Sequence, residues 1–321
     1  MKKLSGRNTG IAAALVSALF LGMAPVFGKA AINMGFSGLF VVAARTSAAA
    51  ILLFVIMAIF KRQYLYVFGV GLIGCFIAGA INGIGSVFYY MSLEHLSASL
   101  GQLLYSLYPV FVAIWLALDH QPPSKLTTIR IAMSLFAVVL LTYSEIINPN
   151  PDDPTDLIGV IMMLIASLLY ALHLPINQRV LYEIPAPSVT LYTLIAMSCV
   201  VVPAYLIFDR SLPPPDAHWG PIIGLTFVTF FSRLTLFLGV KHLGGLQTAL
   251  LGLAELFVTI IASHFLLDEQ LTLMQWIGAG MLGASLLLIG KEKPTVERRR
   301  PGGWLSWLSA PSRKSAWPFD N

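Results

Sequence analysis

Long, uninterrupted apolar runs constrain this chain more than any other feature. A helix that crosses the hydrocarbon core of a bilayer needs about 20 largely apolar residues. Only 11% of the 321 residues are charged, against roughly 25% in an ordinary soluble domain. The runs are continuous, without the apolar–polar alternation that a membrane β-barrel requires. We therefore predict an all-α polytopic membrane protein with ten transmembrane helices, at approximately 10–32, 36–60, 67–90, 98–118, 128–147, 157–180, 188–208, 217–240, 246–267 and 273–290.

The distribution of basic residues predicts the orientation. With the N-terminus inside, 16 of the 20 Lys and Arg residues lie on the cytoplasmic side, and only Lys29 and Arg210 lie outside. By the positive-inside rule both termini are cytoplasmic, and the absence of an Asn-x-Ser/Thr sequon favours a prokaryotic inner or plasma membrane. The first run follows a basic N-terminus but is too long for the apolar region of a signal peptide, so we expect it to be retained.

The two halves of the chain resemble each other at an offset of about 147 residues. Each half has five predicted spans, an odd number, so the halves must face opposite ways. Inverted repeats with proline-interrupted helices are typical of secondary transporters, whose substrate site lies near the midplane. The alternative is that the prolines only bend packing helices. The matching features are Pro25 with Lys29 and Pro175 with Arg179 in the first span of each half, and His95-Leu96 with His242-Leu243.

These patterns divide the chain into five parts. A cytoplasmic N-terminus (1–9) precedes the first five-helix repeat (10–147), an external acidic linker (148–156), the second repeat (157–290) and a cytoplasmic tail (291–321). The tail carries three consecutive arginines, Arg298 to Arg300, and three tryptophans. Clustered basic residues attract anionic lipid and tryptophan favours the membrane interface, so the tail is predicted either to contact lipid or to be disordered.

The sequence resembles the drug/metabolite transporter superfamily, specifically its ten-helix EamA type, over roughly Gly10 to Gly290. The resemblance rests on Arg45, the stretch 89–98, Pro109 and the run 255–279. It implies two inverted EamA-like repeats, with spans 5 and 10 peripheral to the cavity. Leu256 stands where the family usually has proline, which leaves the bend of span 9 open.

Ionisable residues within the spans are the first candidates for a transport site. A charge at the bilayer centre costs about 2.5 to 3.5 kcal/mol on insertion scales, so it is normally paired or faces a polar cavity. Arg45, Arg233 and Glu255 are three such residues. Glu255 is the candidate for proton coupling, and the alternative is that it forms a structural ion pair with one of the arginines.

Polar and aromatic residues on the faces of neighbouring spans complete the predicted cavity. Tyrosine can stack on a small organic solute and hydrogen-bond to it, whereas the alternative role of each residue is helix packing. The candidates are Asn82, Tyr89, Gln102, Tyr105, Tyr170, His173 and Asn177, with Pro25, Pro109 and Pro175 as candidate hinges.

The sequence thus predicts an alternating-access secondary transporter that exports or exchanges a small organic metabolite, such as an amino acid or an organic anion. Multidrug or cation efflux by the same fold is the first alternative, and a channel the second. A Gly-x-Gly-x-x-Gly motif at 69–74 lies inside an apolar span with no preceding strand, so it does not indicate nucleotide binding. We expect no enzyme activity, cofactor, metal or nucleic acid, and the sequence leaves a homodimer open.

Overall fold

The protein was analysed as a computed structural model that describes residues 2–120, 123–147, 156–213, 215, 217–267 and 273–288. Within these residues all regular structure is helical, with one short 3₁₀ helix at Arg62–Leu65. The α-helices are α1 (Lys2–Gly22), α2 (Ala24–Asn33), α3 (Gly38–Phe60), α4 (Gly69–Ser92), α5 (Ala98–Tyr105), α6 (Tyr108–Leu118), α7 (Lys125–Ile147), α8 (Leu157–Val180), α9 (Ala186–Phe208), α10 (Gly220–Leu243), α11 (Gly245–Gly252), α12 (Glu255–Leu267) and α13 (Leu273–Leu287).

Eight helical segments within the described ranges are long and apolar enough to cross a membrane. This confirms an all-helical polytopic membrane protein. Helices α7 and α13, which correspond to predicted spans 5 and 10, are not among the eight, so the count of ten stays a prediction. Residues 148–155 of the predicted linker and the whole predicted tail lie outside the described residues. The eight segments are Gly6–Asn33, Gly38–Phe60, Gly69–Ser92, Ala98–Leu118, Leu157–Val180, Ala186–Phe208, Gly220–Leu243 and Gly245–Leu266.

Short polar side chains fix where several helices begin. Ser37 accepts a hydrogen bond from the Phe40 backbone N–H at the start of α3, and Ser97 accepts one from Leu100 at the start of α5. These caps satisfy N–H groups that have no partner within the helix. Gly244 separates α10 from α11 with a φ of +87°, a conformation that glycine adopts without strain. One residue is therefore enough to turn the chain between these two spans.

Three of the predicted spans are broken near their middle. The breaks fall at Met23 between α1 and α2, at 106–107 between α5 and α6, and at 253–254 between α11 and α12. Pro25 and Pro109 lie in the first turn of the helix after a break, where a missing N–H is tolerated. The third break forms without proline, so leucine at position 256 does not remove the bend of span 9. Pro175, by contrast, lies inside the continuous helix α8.

Backbone carbonyls at the three breaks accept hydrogen bonds from hydroxyl groups of other helices. Thr259 Oγ1 lies 2.7 Å from the Gly22 carbonyl oxygen, and Ser167 donates to the Tyr105 carbonyl at 2.8 Å. The Tyr108 hydroxyl donates to the Ala249 carbonyl at 3.0 Å. Because lipid offers no hydrogen bonds, broken helices persist in a membrane only where protein satisfies the freed groups. Hydrogen bonds from neighbouring helices therefore stabilise the breaks.

The two halves pack through reciprocal close contacts. Helix α1 lies against α10, and α4 lies against α8. A Cβ atom on Gly10 would lie 2.8 Å from Cβ of His242, and one on Gly159 would lie 2.7 Å from Cβ of His95. Small residues let transmembrane helices approach this closely. The first helix of each half thus packs on the third long helix of the other half.

Helices α7 and α13 pack against each other, and α7 also contacts α5. The outer faces of the other long helices expose large apolar side chains, including Phe60, Phe208 and Phe265. An apolar outer surface of this kind fits a lipid environment. Several polar side chains, including Arg45, Arg233 and Glu255, lie inside the bundle.

Candidate substrate-binding site

The three broken spans meet in the interior of the bundle. Helices α2, α5 and α12, each of which borders a break, are in mutual contact. Broken helices that meet in this way expose backbone and side-chain polar groups to a shared space, as substrate sites of transporters require. Buried polar residues near this junction include Gln102, Glu255 and Thr259.

A small cavity lies beside the junction. The cavity has a volume of about 30 Å³, which is room for roughly two water molecules. The cavity is too small for a whole metabolite. Its lining comes from spans 1, 2, 3, 4 and 8 and consists of Leu21, Ala24, Arg45, Gly85, Ser86, Tyr89, Tyr90, Gln102, Tyr105 and Arg233.

Arg45 reaches the cavity from α3 and is only 5% exposed. Its Nη1 donates a hydrogen bond of 2.8 Å to the hydroxyl of Thr229 on α10. Its guanidinium carbon lies 4.6 Å from the centre of the Tyr90 ring, within the range of a cation–π contact. Arg45 thus joins the first half of the chain to the second through neutral partners.

Arg233 approaches the cavity from α10 and is 4% exposed. When the Asn82 amide is oriented with its oxygen toward the guanidinium, it accepts from Nη1 and Nη2 at 2.9 and 3.2 Å. The guanidinium carbon lies 5.6 Å from the centre of the Tyr170 ring. At the repeat offset of 147, Asn82 corresponds to Thr229, so the two arginines bind equivalent positions of opposite halves.

A chain of tyrosine rings continues from the cavity toward α8. The Tyr89 hydroxyl lies 3.2 Å from Oε1 of Gln102. Ring centres are 4.9 Å apart for Tyr89 and Tyr105, 5.1 Å for Tyr105 and Tyr170, and 4.9 Å for Tyr108 and Tyr170. Aromatic pairs at these separations stabilise each other. The site therefore combines two cations with an aromatic wall.

Glu255 is the first residue of α12 and is completely buried. Its side chain lies beside Tyr108 and Gln102. Among the described residues, neither carboxyl oxygen has a hydrogen-bond donor in normal geometry, and no arginine lies within ion-pair distance. The described residues thus contain no ion pair of Glu255 with Arg45 or Arg233, although Glu255 interacts electrostatically with Arg233. The N-terminus of a helix carries a partial positive charge that favours a carboxylate there.

The structure brings most of the predicted site residues together. Arg45, Tyr89, Gln102, Tyr105 and Arg233 line the cavity, and Asn82, Tyr170 and Glu255 lie against those lining residues. His173 is one step further out: its ring packs on Tyr170 and faces Phe237. Asn177 is fully buried but does not line the cavity, and neither of its amide atoms has a hydrogen-bond partner in the part of the chain that the structure describes.

Sequence reasoning missed two tyrosines of the site. Tyr90 stacks under Arg45, and Tyr108 lies beside Glu255. The repeat carried a usable signal for Tyr108, because 108 plus the offset of 147 gives 255. Tyr108 is the first residue of α6 and Glu255 the first residue of α12, and each of these helices follows a break.

Sequence reasoning also missed an ion pair away from the cavity. Nη2 of Arg179, at the end of α8, lies 2.5 Å from Oδ2 of Asp119, just after α6, with side chains 4% and 0% exposed. Arg130 was counted only as a cytoplasmic basic residue, and Arg179 as a cytoplasmic residue that follows Pro175 in the repeat. Both are buried, and Arg130 donates a hydrogen bond of 2.9 Å to Gln247. These contacts link the two halves at the end of the bundle opposite the Ser92–Ala98 turn.

The family profile of the EamA-like transporters matches this chain twice, at residues 8–143 and 157–291. The chain belongs to the EamA-like transporter family. This EamA-like protein is 24% identical over 211 residues to the uncharacterized transporter YcbK of Bacillus subtilis, across 63% of this chain and 66% of the relative. The match thus spans slightly less than two thirds of that relative.

A second relative and a solved structure agree with the assignment. An uncharacterized transporter of Archaeoglobus fulgidus is 24% identical over 207 residues, covering 64% of this chain and 71% of that protein. A protein of known crystal structure shares 14% identity with a TM-score of 0.65, covering 89% of this chain and 96% of that chain. At this identity the likeness shows the fold alone. Together the comparisons show a multi-pass membrane protein of a transporter family.

Proposed function

We propose that this EamA-like protein is a secondary transporter that exports or exchanges a small organic metabolite, such as an amino acid or organic anion, by alternating access. The observation that carries the proposal is the meeting of three broken spans at a buried cluster of two arginines, one glutamate and several tyrosines. Charges inside a bundle are costly and mark substrate or ion pathways. Broken helices supply the irregular backbone that such sites use.

The proposed architecture is ten transmembrane helices in two inverted five-helix repeats. The two matches of the family profile divide the chain into halves of that size. The reciprocal contacts of Gly10 with His242 and of Gly159 with His95 are what two halves related by a pseudo-two-fold axis would form. Spans 1 to 4 and 6 to 9 surround the cavity in this proposal, and α7 with α13 forms the peripheral pair.

The orientation follows from the basic residues, with both termini in the cytoplasm and the chain in the plasma membrane. The Asp119–Arg179 pair then lies at the cytoplasmic end of the bundle. The opposite end carries a cluster of aromatic rings from both halves: Phe36, Phe40, Tyr205 and Trp219. Alternating access would separate one of these two layers at a time while the other stays closed.

Efflux of bulky cations by the same fold is less well supported, because two buried guanidiniums face the cavity. Like charges near a site disfavour a cationic ligand. A channel would differ from a transporter in the kinetics of solute flux, which the counterflow experiment below measures.

Counterflow tests the proposal directly. Purified protein in liposomes is preloaded with a metabolite mixture, and uptake of each isotopically labelled solute is followed. We expect transient accumulation of a labelled solute only when the same solute is present inside, with saturation as its concentration rises. Flux that neither saturates nor shows counterflow would indicate a channel, and an absence of flux for every solute would contradict the proposal.

The proline positions give a second test of alternating access. Alanine at Pro25 would let α1 continue into α2, and alanine at Pro175 would restore an N–H inside α8. If the helices move about these points, Pro25→Ala and Pro175→Ala should both slow counterflow. The matched control is Pro203→Ala, since Pro203 lies inside α9 on an exposed face. Rates equal to that control in both variants would exclude the hinge role.

A further inference from the structure

Two buried arginines line the cavity and are balanced only in part by a nearby carboxyl. Glu255 interacts electrostatically with Arg233 but does not line the cavity. Arg45 and Arg233 are both at least nine-tenths buried and both line it. Within the described ranges, neither guanidinium forms an ion pair with a carboxylate. A buried charge without a counter-ion is costly, and the single carboxyl of Glu255 cannot balance two guanidiniums, so the cluster favours a further negative group.

The protein partners of the two guanidiniums are neutral. Arg45 donates to a threonine hydroxyl and Arg233 to an asparagine amide. Nε of Arg45 and Nε of Arg233 are buried donors with no hydrogen-bond partner among the described residues. Both side chains line the same cavity, so donors are available to a ligand at that place.

Guanidinium groups are suited to planar oxyanions. Their fixed fork of N–H groups matches the two oxygens of a carboxylate, with shorter and stronger hydrogen bonds than between neutral groups. The remaining wall is aromatic, with Tyr89, Tyr90 and Tyr105, and suits an apolar or aromatic body. The space of about 30 Å³ holds a head group of this size but not the body attached to it.

We propose that the substrate of this transporter is a small organic anion whose carboxylate binds between Arg45 and Arg233, with its apolar or aromatic body against the tyrosines. The proposal rests on the proposed function, since it names the substrate class for the same cavity. Arg45 lies on α3 of the first half and Arg233 on α10 of the second. The carboxylate therefore bridges the two halves, and its departure leaves two unpaired cations between them.

Binding to purified, detergent-solubilised protein tests the proposal without requiring transport. The probes are three compounds with the same body: 3-phenylpropanoate, 3-phenylpropanamide and 3-phenylpropylamine. We expect the carboxylate to raise the midpoint of thermal unfolding, while the amide and the amine, at equal concentration and ionic strength, do not. Sodium chloride at the same concentration controls for non-specific anion effects. Equal stabilisation by the amide, or none by this or any shorter straight-chain carboxylate, would overturn the proposal.

Arginine variants locate the site. Loss of one charge-assisted contact should weaken carboxylate affinity by roughly ten- to a hundredfold in Arg45→Gln and in Arg233→Gln. Arg45→Lys and Arg233→Lys keep the positive charge but not the forked N–H groups of the guanidinium, and should weaken carboxylate affinity less. The control is Arg62→Gln, because Arg62 is exposed and bonds only its own turn at the Ala58 carbonyl. Unchanged affinity in both glutamine variants would place the carboxylate elsewhere. If a glutamine variant does not fold, the affinity of the lysine variant at that position and the wild-type response to the three probes test whether the carboxylate binds there.

The binding and counterflow results separate the two proposals. Carboxylate binding without counterflow of any solute would support the anion site and contradict the transport function. Counterflow of a neutral or cationic solute without carboxylate binding would support transport and contradict the anion site.

Discussion

Replacing Glu255 with glutamine is expected to abolish accumulation driven by a proton gradient. Glutamine keeps the size of the side chain and its neighbours, Tyr108 and Gln102, but cannot bind and release a proton. A difference of one pH unit supplies about 1.4 kcal/mol per proton, enough for roughly tenfold accumulation. Wild-type protein in liposomes should reach accumulation of that order, whereas Glu255→Gln should not exceed equilibration.

Two comparisons make the Glu255 prediction specific. Glu183→Gln changes a partly buried carboxyl in the loop after α8, away from the cavity, and should leave accumulation unchanged. Counterflow at equal pH on both sides should survive in Glu255→Gln, because exchange needs no net proton movement. Wild-type pH dependence in the variant would exclude Glu255 as the coupling group. Loss of insertion in the membrane would show a structural role in its place.

Replacing Asp119 with asparagine is expected to open the end of the bundle that we assign to the cytoplasm. The substitution leaves Arg179 buried without its ionic partner, which costs about 3 to 5 kcal/mol in buried ion pairs. A cost of that size would lower the population of the closed form by roughly a hundred- to four-thousandfold relative to an open form that hydrates the arginine. The open form would expose the interior near the break between α5 and α6.

Accessibility of a reporter cysteine measures this opening. Ser106 lies at that break and is buried, so Ser106→Cys, in a background with Cys75 and Cys199 replaced by alanine, should react slowly with a membrane-impermeant thiol reagent. Asp119→Asn should raise the labelling rate from the cytoplasmic side at least about tenfold. The exchanged pair, Asp119→Arg with Arg179→Asp, should return the rate toward that of wild type. Slow labelling in Asp119→Asn would show that the pair does not hold this end closed.

Glu255 and the two arginines show how far sequence reasoning reached into the site. Ionisable residues are rare in apolar spans because their burial is costly, so a charge there stands out without any structure. That argument found Arg45, Arg233 and Glu255, and all three lie at or beside the cavity. It did not find their partners. The expected carboxylate–arginine pair is absent among the described residues, and a threonine, an asparagine and two tyrosine rings take its place.

The partners escaped prediction because helical spacing describes one helix at a time. Residues three or four positions apart share a face, which correctly grouped Asn82 with Tyr89 and Gln102 with Tyr105. The contact between Arg233 and Asn82 depends on the depth and rotation of α10 relative to α4. Those are set by close packing elsewhere, such as glycine against histidine where α1 meets α10 and where α8 meets the turn that follows α4. His173 and Asn177 share a face with Tyr170 but point past the cavity for the same reason.

The sequence by itself determined that the chain is a helical membrane protein, because backbone in lipid must satisfy its own hydrogen bonds and long apolar runs can do so only as helices. The EamA-like type was indicated by the resemblance of particular residues to that family. The sequence also identified Arg45, Arg233 and Glu255 as charges inside the bundle, but not Asp119, Arg130 and Arg179, which are buried as well. Only the tertiary structure decided that span 9 breaks without proline, that Asp119 and Arg179 form a buried ion pair, and that both cavity arginines lack a carboxylate partner within the described residues. Each of these depends on groups more than 50 residues apart or on opposite halves, and their distances follow from how the helices pack and not from the spacing along any one of them.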